Sequence, residues 1–185
     1  MKLRKLRGDL EFRPYSNKFP KYFRRERAIL KRLGEFDIYH IGSSAIPNMP
    51  GKGIIDILIL VRNQKQKITL NKKLKKIGYL QGKTKEKGRS FFWRVKSGQE
   101  YGIHIMLKNN KKAKHQVKFR DYLIKNPKEF KRYLGLKKEN FKKSKGDWKT
   151  YKEMKINYFK QFLKKRLSFE NKKRLSCNFN CPLLI

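Results

Sequence analysis

Two adjoining pieces of sequence decide the fold. His40-Ile41-Gly42-Ser43-Ser44 comes first, and a short loop broken by proline and glycine leads into Ile54-Ile55-Asp56-Ile57-Leu58-Ile59-Leu60-Val61. A continuous run of β-branched and aliphatic residues reads as a strand buried on both faces. Asp56 alone interrupts it. An unpaired carboxylate in such a strand is costly, so it needs a cation, a hydrogen-bond donor or a water-filled cleft. Just upstream, Gly42-Ser43-Ser44 offers backbone N–H groups and two hydroxyls, the groups that hold a phosphate. Donors for an anion then face a carboxylate for a metal. The structural alternative is an Asp56 that caps a turn through hydrogen bonds.

Outward from this pair the periodicity changes. Over residues 17–33, Phe19, Tyr22, Phe23, Ala28, Ile29 and Leu33 recur at helical spacing, with Gly34 as the stop. Residues 36–41 read as a first short strand and residues 42–53 as a loop. Residues 63–76 form an amphipathic helix with Leu70, Leu74 and Ile77 inward; Gly78 closes it and Tyr79-Leu80 begins the next strand. Residues 90–95 and 101–107 read as a hairpin joined at Ser97-Gly98. Beyond Asn109-Asn110 the apolar residues return to helical spacing, and Asn126-Pro127 and Lys145-Gly146-Asp147 divide them into about three helices. The expectation is an α+β architecture, a mixed β-sheet flanked by helices with a C-terminal helical segment. Residues 1–9 are a basic lead-in, residues 10–166 one domain, and residues 167–185 a poorly patterned tail.

Alternate residues of a strand share a face, so Asp56 lies with Ile54, Leu58 and Leu60. Polymerase-β-type nucleotidyltransferases place a Gly-Ser turn ahead of a strand bearing two acids one residue apart. Both acids point at the same metals, since two-metal phosphoryl chemistry needs that negative cluster. Here Leu58 stands in the second acid's place. His104 interrupts a later apolar run, and Glu100 shares its parity. If that strand lies beside the Asp56 strand, the two side chains meet. His104 then serves as a metal ligand, as a general base near neutral pH, or as a hydrogen-bonded core histidine. The basic residues with a reason to approach phosphate are Lys52, Arg94 and Arg120.

With 51 Lys and Arg against 14 Asp and Glu in 185 residues, the formal net charge is +37. Such a field draws polyanions, RNA or DNA or an anionic membrane, with an affinity that salt erodes. A uniformly solvated Lys-rich surface is the plainer account of the same charge. A hydrophobic share of 38% and 13% aromatics argue against disorder. No apolar stretch approaches the roughly 20 residues needed to cross a bilayer. The basic start carries no apolar region of a secretory signal, so a cytoplasmic location is expected. Cys177 and Cys181 are the only cysteines, and no neighbouring histidine completes a zinc site.

The ordered set of motifs resembles the GrpB family, whose fold belongs to the nucleotidyltransferase superfamily. The resemblance runs through Arg13-Pro14-Tyr15, His40-Ile41-Gly42-Ser43-Ser44-Ala45-Ile46-Pro47 and Lys52 to Ile57. It continues through Phe119-Arg120-Asp121-Tyr122-Leu123, Tyr133, Leu136-Lys137 and the Tyr151 to Lys155 spacing, covering about residues 10–166. Asn48 stands where relatives usually have Gly, Gly53 where they have Pro, and Gly102 where many have a His. Leu58 in the second acid's place is common among them.

The resemblance implies a cleft containing Gly42, Ser43 and Asp56. The leading expectation is a protein that binds a nucleoside triphosphate with Mg²⁺ and, if catalytic, transfers a nucleotidyl group to an acceptor. Gly42, Ser43 and Ser44 hold the phosphates in this account. Asp56 ligates the metal, His104 is a second ligand or a base, and Lys52, Arg120 and Lys155 offset phosphate charge. One alternative is a noncatalytic module binding RNA or another polyanion through the Lys surface. Another is an accessory domain for a phosphorylated metabolite such as a coenzyme A precursor, because relatives occur fused to dephospho-coenzyme A kinase. This chain carries no P-loop of its own.

Overall fold

The strand carrying Asp56 is β2 (Ile55–Val61), the second strand of a five-stranded sheet in the computed structural model. The structure describes residues 12–84, 86–147, 150–151, 153–154, 158–159 and 161–162. The basic lead-in, Lys155 and the tail with Cys177 and Cys181 lie outside them.

In chain order the elements are α1 (Phe19–Lys31), β1 (Asp37–Ile41), β2, α2 (Gln64–Lys76), β3 (Leu80–Gly82), β4 (Ser90–Lys96), β5 (Gln99–Leu107), α3 (Lys111–Lys125) and α4 (Pro127–Lys143). A 3-10 turn over Ser43–Ala45 interrupts the loop between β1 and β2. The sheet runs β1-β2-β5-β4-β3. β2 and β5 are parallel, and every other neighbouring pair is antiparallel. This is the mixed sheet flanked by helices that the α, then β, then α periodicity predicts.

Local chemistry explains the boundaries. Asn63 caps α2 by accepting from the Gln66 N–H at 2.9 Å, and Asn110 caps α3 by accepting from Ala113 at 3.2 Å. Pro127 opens α4, where its missing N–H costs nothing. Ser97 and Gly98 have φ values of 47° and 73°, the paired left-handed residues of a two-residue hairpin turn. Lys96 and Gln99 close that turn.

Two apolar clusters form on opposite faces of the sheet. One holds Ile55, Ile57, Ile59 and Val61 of β2 with Phe92, Ile103 and Ile105, packed against Leu30 of α1 and Leu70 and Leu74 of α2. The other is smaller: Ile41, Leu58, Leu60 and Met106 against Ala113 and Val117 of α3. Asp56 lies on this second face, outside the apolar cluster that α3 covers. By chain contacts the molecule divides into two units, Leu10–Leu136 and one that takes in Lys137–Ile185; the sheet belongs to the first. Among the described residues, no helix is long and apolar enough to cross a membrane.

Candidate functional site

The site begins with the seat of one carboxylate. Asp56 pairs in register with Ile41 on one side and Gly102 on the other. Gly42, just past Ile41, has φ 73° and ψ −169°, a conformation reserved in practice for glycine. A Cβ there would come within 2.6 Å of Asp56 Oδ2. A Cβ at Gly102 would stand 3.0 Å from Oδ1. Glycines on both flanks thus leave room for the carboxylate, whose side chain remains 33% exposed. Gly102 reads from the sequence as the loss of an imidazole; in three dimensions it is one wall of the Asp56 seat.

The parallel pairing of β2 with β5 sets His104 beside Leu58 and one step along from Asp56. Its Nε2 lies 3.2 Å from Asp56 Oδ1, so the two side chains meet as strand parity allows. Its Nδ1 contacts Nη2 of Arg89. Arginine can only donate, which makes Nδ1 an acceptor and places the imidazole proton on Nε2, where it donates to Asp56. Burial holds His104 below the ordinary imidazole range, against the pull of Asp56, so the neutral ring is favoured. The ring also lies 5.1 Å from that of Phe91.

Arg89 continues the chain, with Nη1 donating to Glu86 Oε2 at 3.1 Å. Lys112 of α3 approaches the other Glu86 oxygen at 3.3 Å. Burial alone would raise the Glu86 carboxyl, but Arg89 and Lys112 outweigh it and hold it below the usual range. Asp56, His104, Arg89, Glu86 and Lys112 form one file of alternating partners across the face. Sequence reading misses Arg89 and Glu86. They precede β4 by a few residues, and only the register Phe91 to His104 brings them to the site.

The turn after β1 is partly committed. Ala45 N–H donates to Gly42 O at 3.3 Å and Ile46 N–H to Ser43 O at 3.1 Å, so the N–H groups of Ser43 and Ser44 precede the first bond of the turn. Ser44 is 2% exposed and its Oγ pairs with His40 Nε2 at 3.0 Å. Of the two hydroxyls expected at this turn, that of Ser44 is therefore turned inward to His40, while Ser43 is partly exposed. His40 stacks on Phe23 at 4.6 Å, and burial pushes its pKa down to about 4.

The basic residues separate. Arg120 of α3 donates to His40 O at 2.6 Å and to Asp121 at 2.8 Å, which anchors it beside the Gly42 turn. Lys52 lies in the loop pinned by the Arg13–Gly51 backbone pair. Arg94 does not join them, a correction to the sequence-based expectation. Neighbouring strand residues face opposite ways, so Arg94 turns to the α1 side, where it pairs with Glu26 at 2.6 Å over the Tyr79 ring. Leu58 is fully buried beneath α3, so the second acid's position is a packed core site. No group of three or more His, Cys, Asp or Glu able to hold a metal occurs among the described residues.

A family model described as GrpB protein matches residues 9–165. The chain belongs to the GrpB family. It is 33% identical to the UPF0157 protein YqkA of Bacillus subtilis over 129 residues, 68% of this chain but 38% of YqkA. This GrpB-family chain thus spans well under half of that relative's length. The crystal structure of GrpB from Enterococcus faecalis superposes with a TM-score of 0.73 at 26% identity, covering 86% of this chain and 99% of that one. A looser likeness, TM-score 0.43 at 17% identity over 59% of this chain, is to the Cid1 poly(U) polymerase; it adds nothing on activity.

Proposed function

We propose that this GrpB-family protein binds a nucleoside triphosphate with Mg²⁺ in the cleft between the Gly42 turn and β2, in the service of nucleotidyl transfer to an acceptor hydroxyl. The observation that carries the reading is the seating of Asp56 between two glycines, with His104 donating to one of its oxygens. A third of the Asp56 side chain is exposed, so a ligand can reach its oxygens.

The donor set suits one hard cation. Mg²⁺ takes oxygen ligands and is commonly held by one or two carboxylates plus substrate phosphates. Asp56 would be the protein ligand, and the bound metal would supply charge neutralisation for the phosphates. His104 engages both ring nitrogens within the protein, so we assign it to orienting Asp56 in preference to direct ligation or base chemistry. The Ser43 and Ser44 N–H groups and the Ser43 hydroxyl would hold phosphate oxygens, with Arg120 and Lys52 lending positive potential from behind the turn.

Calorimetric titration of ATP in roughly 0.3 M salt, where charges are screened beyond about 5 Å, tests this directly. Saturable binding that needs Mg²⁺ and is abolished by Asp56→Asn is expected. Binding indifferent to both metal and Asp56 would sink the proposal. A second reading rests on the buried Leu58: without a second acid, the fold serves as a noncatalytic binder of RNA or another polyanion, drawn by the +37 charge. It is favoured if binding needs no divalent cation and falls away with salt.

A further inference from the structure

One row of side chains crosses the whole sheet on the Asp56 face. The register runs Ile41, Asp56, Gly102, Trp93, Leu80, from β1 through β2, β5 and β4 to β3. The adjoining row sets Phe91 between His104 and Gly82. α3 roofs the Leu58, Leu60 and Met106 part of this face, and neither Trp93 nor Phe91 belongs to that cluster. On the opposite face of the same strand, Phe92 is fully buried, while Phe91 and Trp93 stay partly exposed and Leu80 is 55% exposed. Phe91, Trp93 and Leu80 thus form one partly exposed apolar strip along β4 and β3, and contiguous apolar surface of this kind marks an interaction site.

Two glycines shape this floor. A Cβ at Gly82 would come 2.6 Å from Cδ1 of Phe91 and 3.6 Å from Cδ1 of Trp93, and one at Gly102 would lie 3.4 Å from Cε2 of Phe91. Both rings thus lean over bare backbone, Trp93 toward Gly82 and Phe91 over Gly102, the residue in register between Trp93 and Asp56. Two strand spacings separate them, roughly 10 Å, a span comparable with a single nucleotide from base to phosphate. The rim is basic. Lys83 and Lys87 stand exposed in the loop before β4, and its one described acid, Glu86, is already paired with Arg89 and Lys112. Aromatic rings beside a cationic rim are what a single-stranded polynucleotide uses, stacking its bases while the rim tracks its backbone.

We infer that the face formed by Trp93 and Phe91 holds the terminal base of a single-stranded polynucleotide, ribo or deoxyribo, with that strand's end directed at Asp56. This rests on the nucleotide reading of the Asp56 cleft and names its acceptor class. The partner follows from charge complementarity and exposed rings together: lysines alone accept any polyanion, and rings alone accept any apolar surface.

The test is fluorescence anisotropy of 5′-labelled 12-nucleotide RNA and DNA, in roughly 0.3 M salt and without divalent cation. Wild type is compared with Trp93→Leu and Trp93→Phe, each checked for folding by circular dichroism. Trp93→Leu is expected to weaken binding about tenfold, within the range lost with one stacked base, and Trp93→Phe to restore most of it. An oligonucleotide lacking its 3′-terminal base should lose a similar factor on wild type and nothing further on Trp93→Leu. The RNA and DNA arms decide which sugar is preferred.

Equal binding by wild type and Trp93→Leu would overturn the inference. So would inorganic polyphosphate competing as well as the oligonucleotide, which would make charge sufficient. A change of oligomeric state in Trp93→Leu without a change in oligonucleotide affinity would assign the floor to a second copy of the chain. Mg²⁺–ATP calorimetry on wild type and Asp56→Asn is run beside it. Failure there overturns the nucleotide reading, whereas failure of the Trp93 comparison overturns only the acceptor.

Discussion

At the scale of single residues, the site is a matter of what is missing around Asp56. Gly42 combines a glycine-only backbone with a contact distance that excludes any Cβ. Gly42→Ala should therefore cost about 1–3 kcal/mol in stability, read by urea unfolding, and should displace the carboxylate enough to remove Mg²⁺-dependent ATP binding. Gly102→Ala has ordinary backbone geometry and a looser 3.0 Å contact, so its effect on stability should be the smaller of the two. His40 gives a pH signature. Its pKa is about 4 when folded against 6.5 for the ordinary group, so below pH 6.5 the unfolded chain takes up the proton first. Stability must then rise with pH across this window, and acidification from pH 7 to pH 4 should remove about 3 kcal/mol through this residue. Burial of His104 and the ion pairs of Glu86 act in the same direction. His40→Phe should lower stability at pH 7, by stranding the Ser44 hydroxyl, yet flatten the slope; an undiminished slope in urea midpoints would remove His40 from this account.

At the scale of elements, α3 decides how many acids the site carries. By packing Ala113 and Val117 onto Leu58 and Leu60, it closes the position from which a second carboxylate would act. Leu58→Asp is accordingly expected to destabilise by at least about 3 kcal/mol, the cost of burying a polar group without a partner on top of the lost packing. Thermal unfolding checks it, and a fully stable Leu58→Asp with tighter Mg²⁺ binding would show the position to be open. The sheet's opposite face is equally specified: Phe92 is fully buried among Ile103, Tyr79 and their neighbours, and Phe92→Ala should cost about 3–5 kcal/mol. Between them, the β4–β5 hairpin carries the site's support. Its two-residue turn fixes the register that brings Arg89 to His104.

At the scale of the whole molecule, the +37 charge acts on rates and non-specific affinity more than on the fold. Heparin or mixed-sequence RNA should bind the protein at low salt and lose several orders of magnitude in affinity between about 50 and 200 mM salt. Binding of Mg²⁺–ATP, with fewer compensated charges, should change far less over the same range. Parallel titrations of the two ligands across salt measure both slopes, and equal slopes would mean that ATP is held by the general field alone.

The alternating and continuous apolar patterns made most of the elements legible: the β2 run, the Ser97-Gly98 turn, the Asn126-Pro127 break and the α1 and α2 periodicities all have local causes. The Gly-Ser turn and Asp56 were legible too, because a carboxylate inside an aliphatic strand is locally anomalous. Strand pairing was not, since it depends on which edges meet after the chain collapses. The β2–β5 parallel register brought His104 to Asp56, made Gly102 a wall, and placed Trp93 across from it. Parity then sent Arg94 to Glu26 on the other side, while the docking of α3 turned the second acid's position into core. Residues distant in sequence acquire their roles from contacts that no local pattern encodes, so composition determined the elements and the charge, and the tertiary structure alone decided which side chains share the Asp56 face.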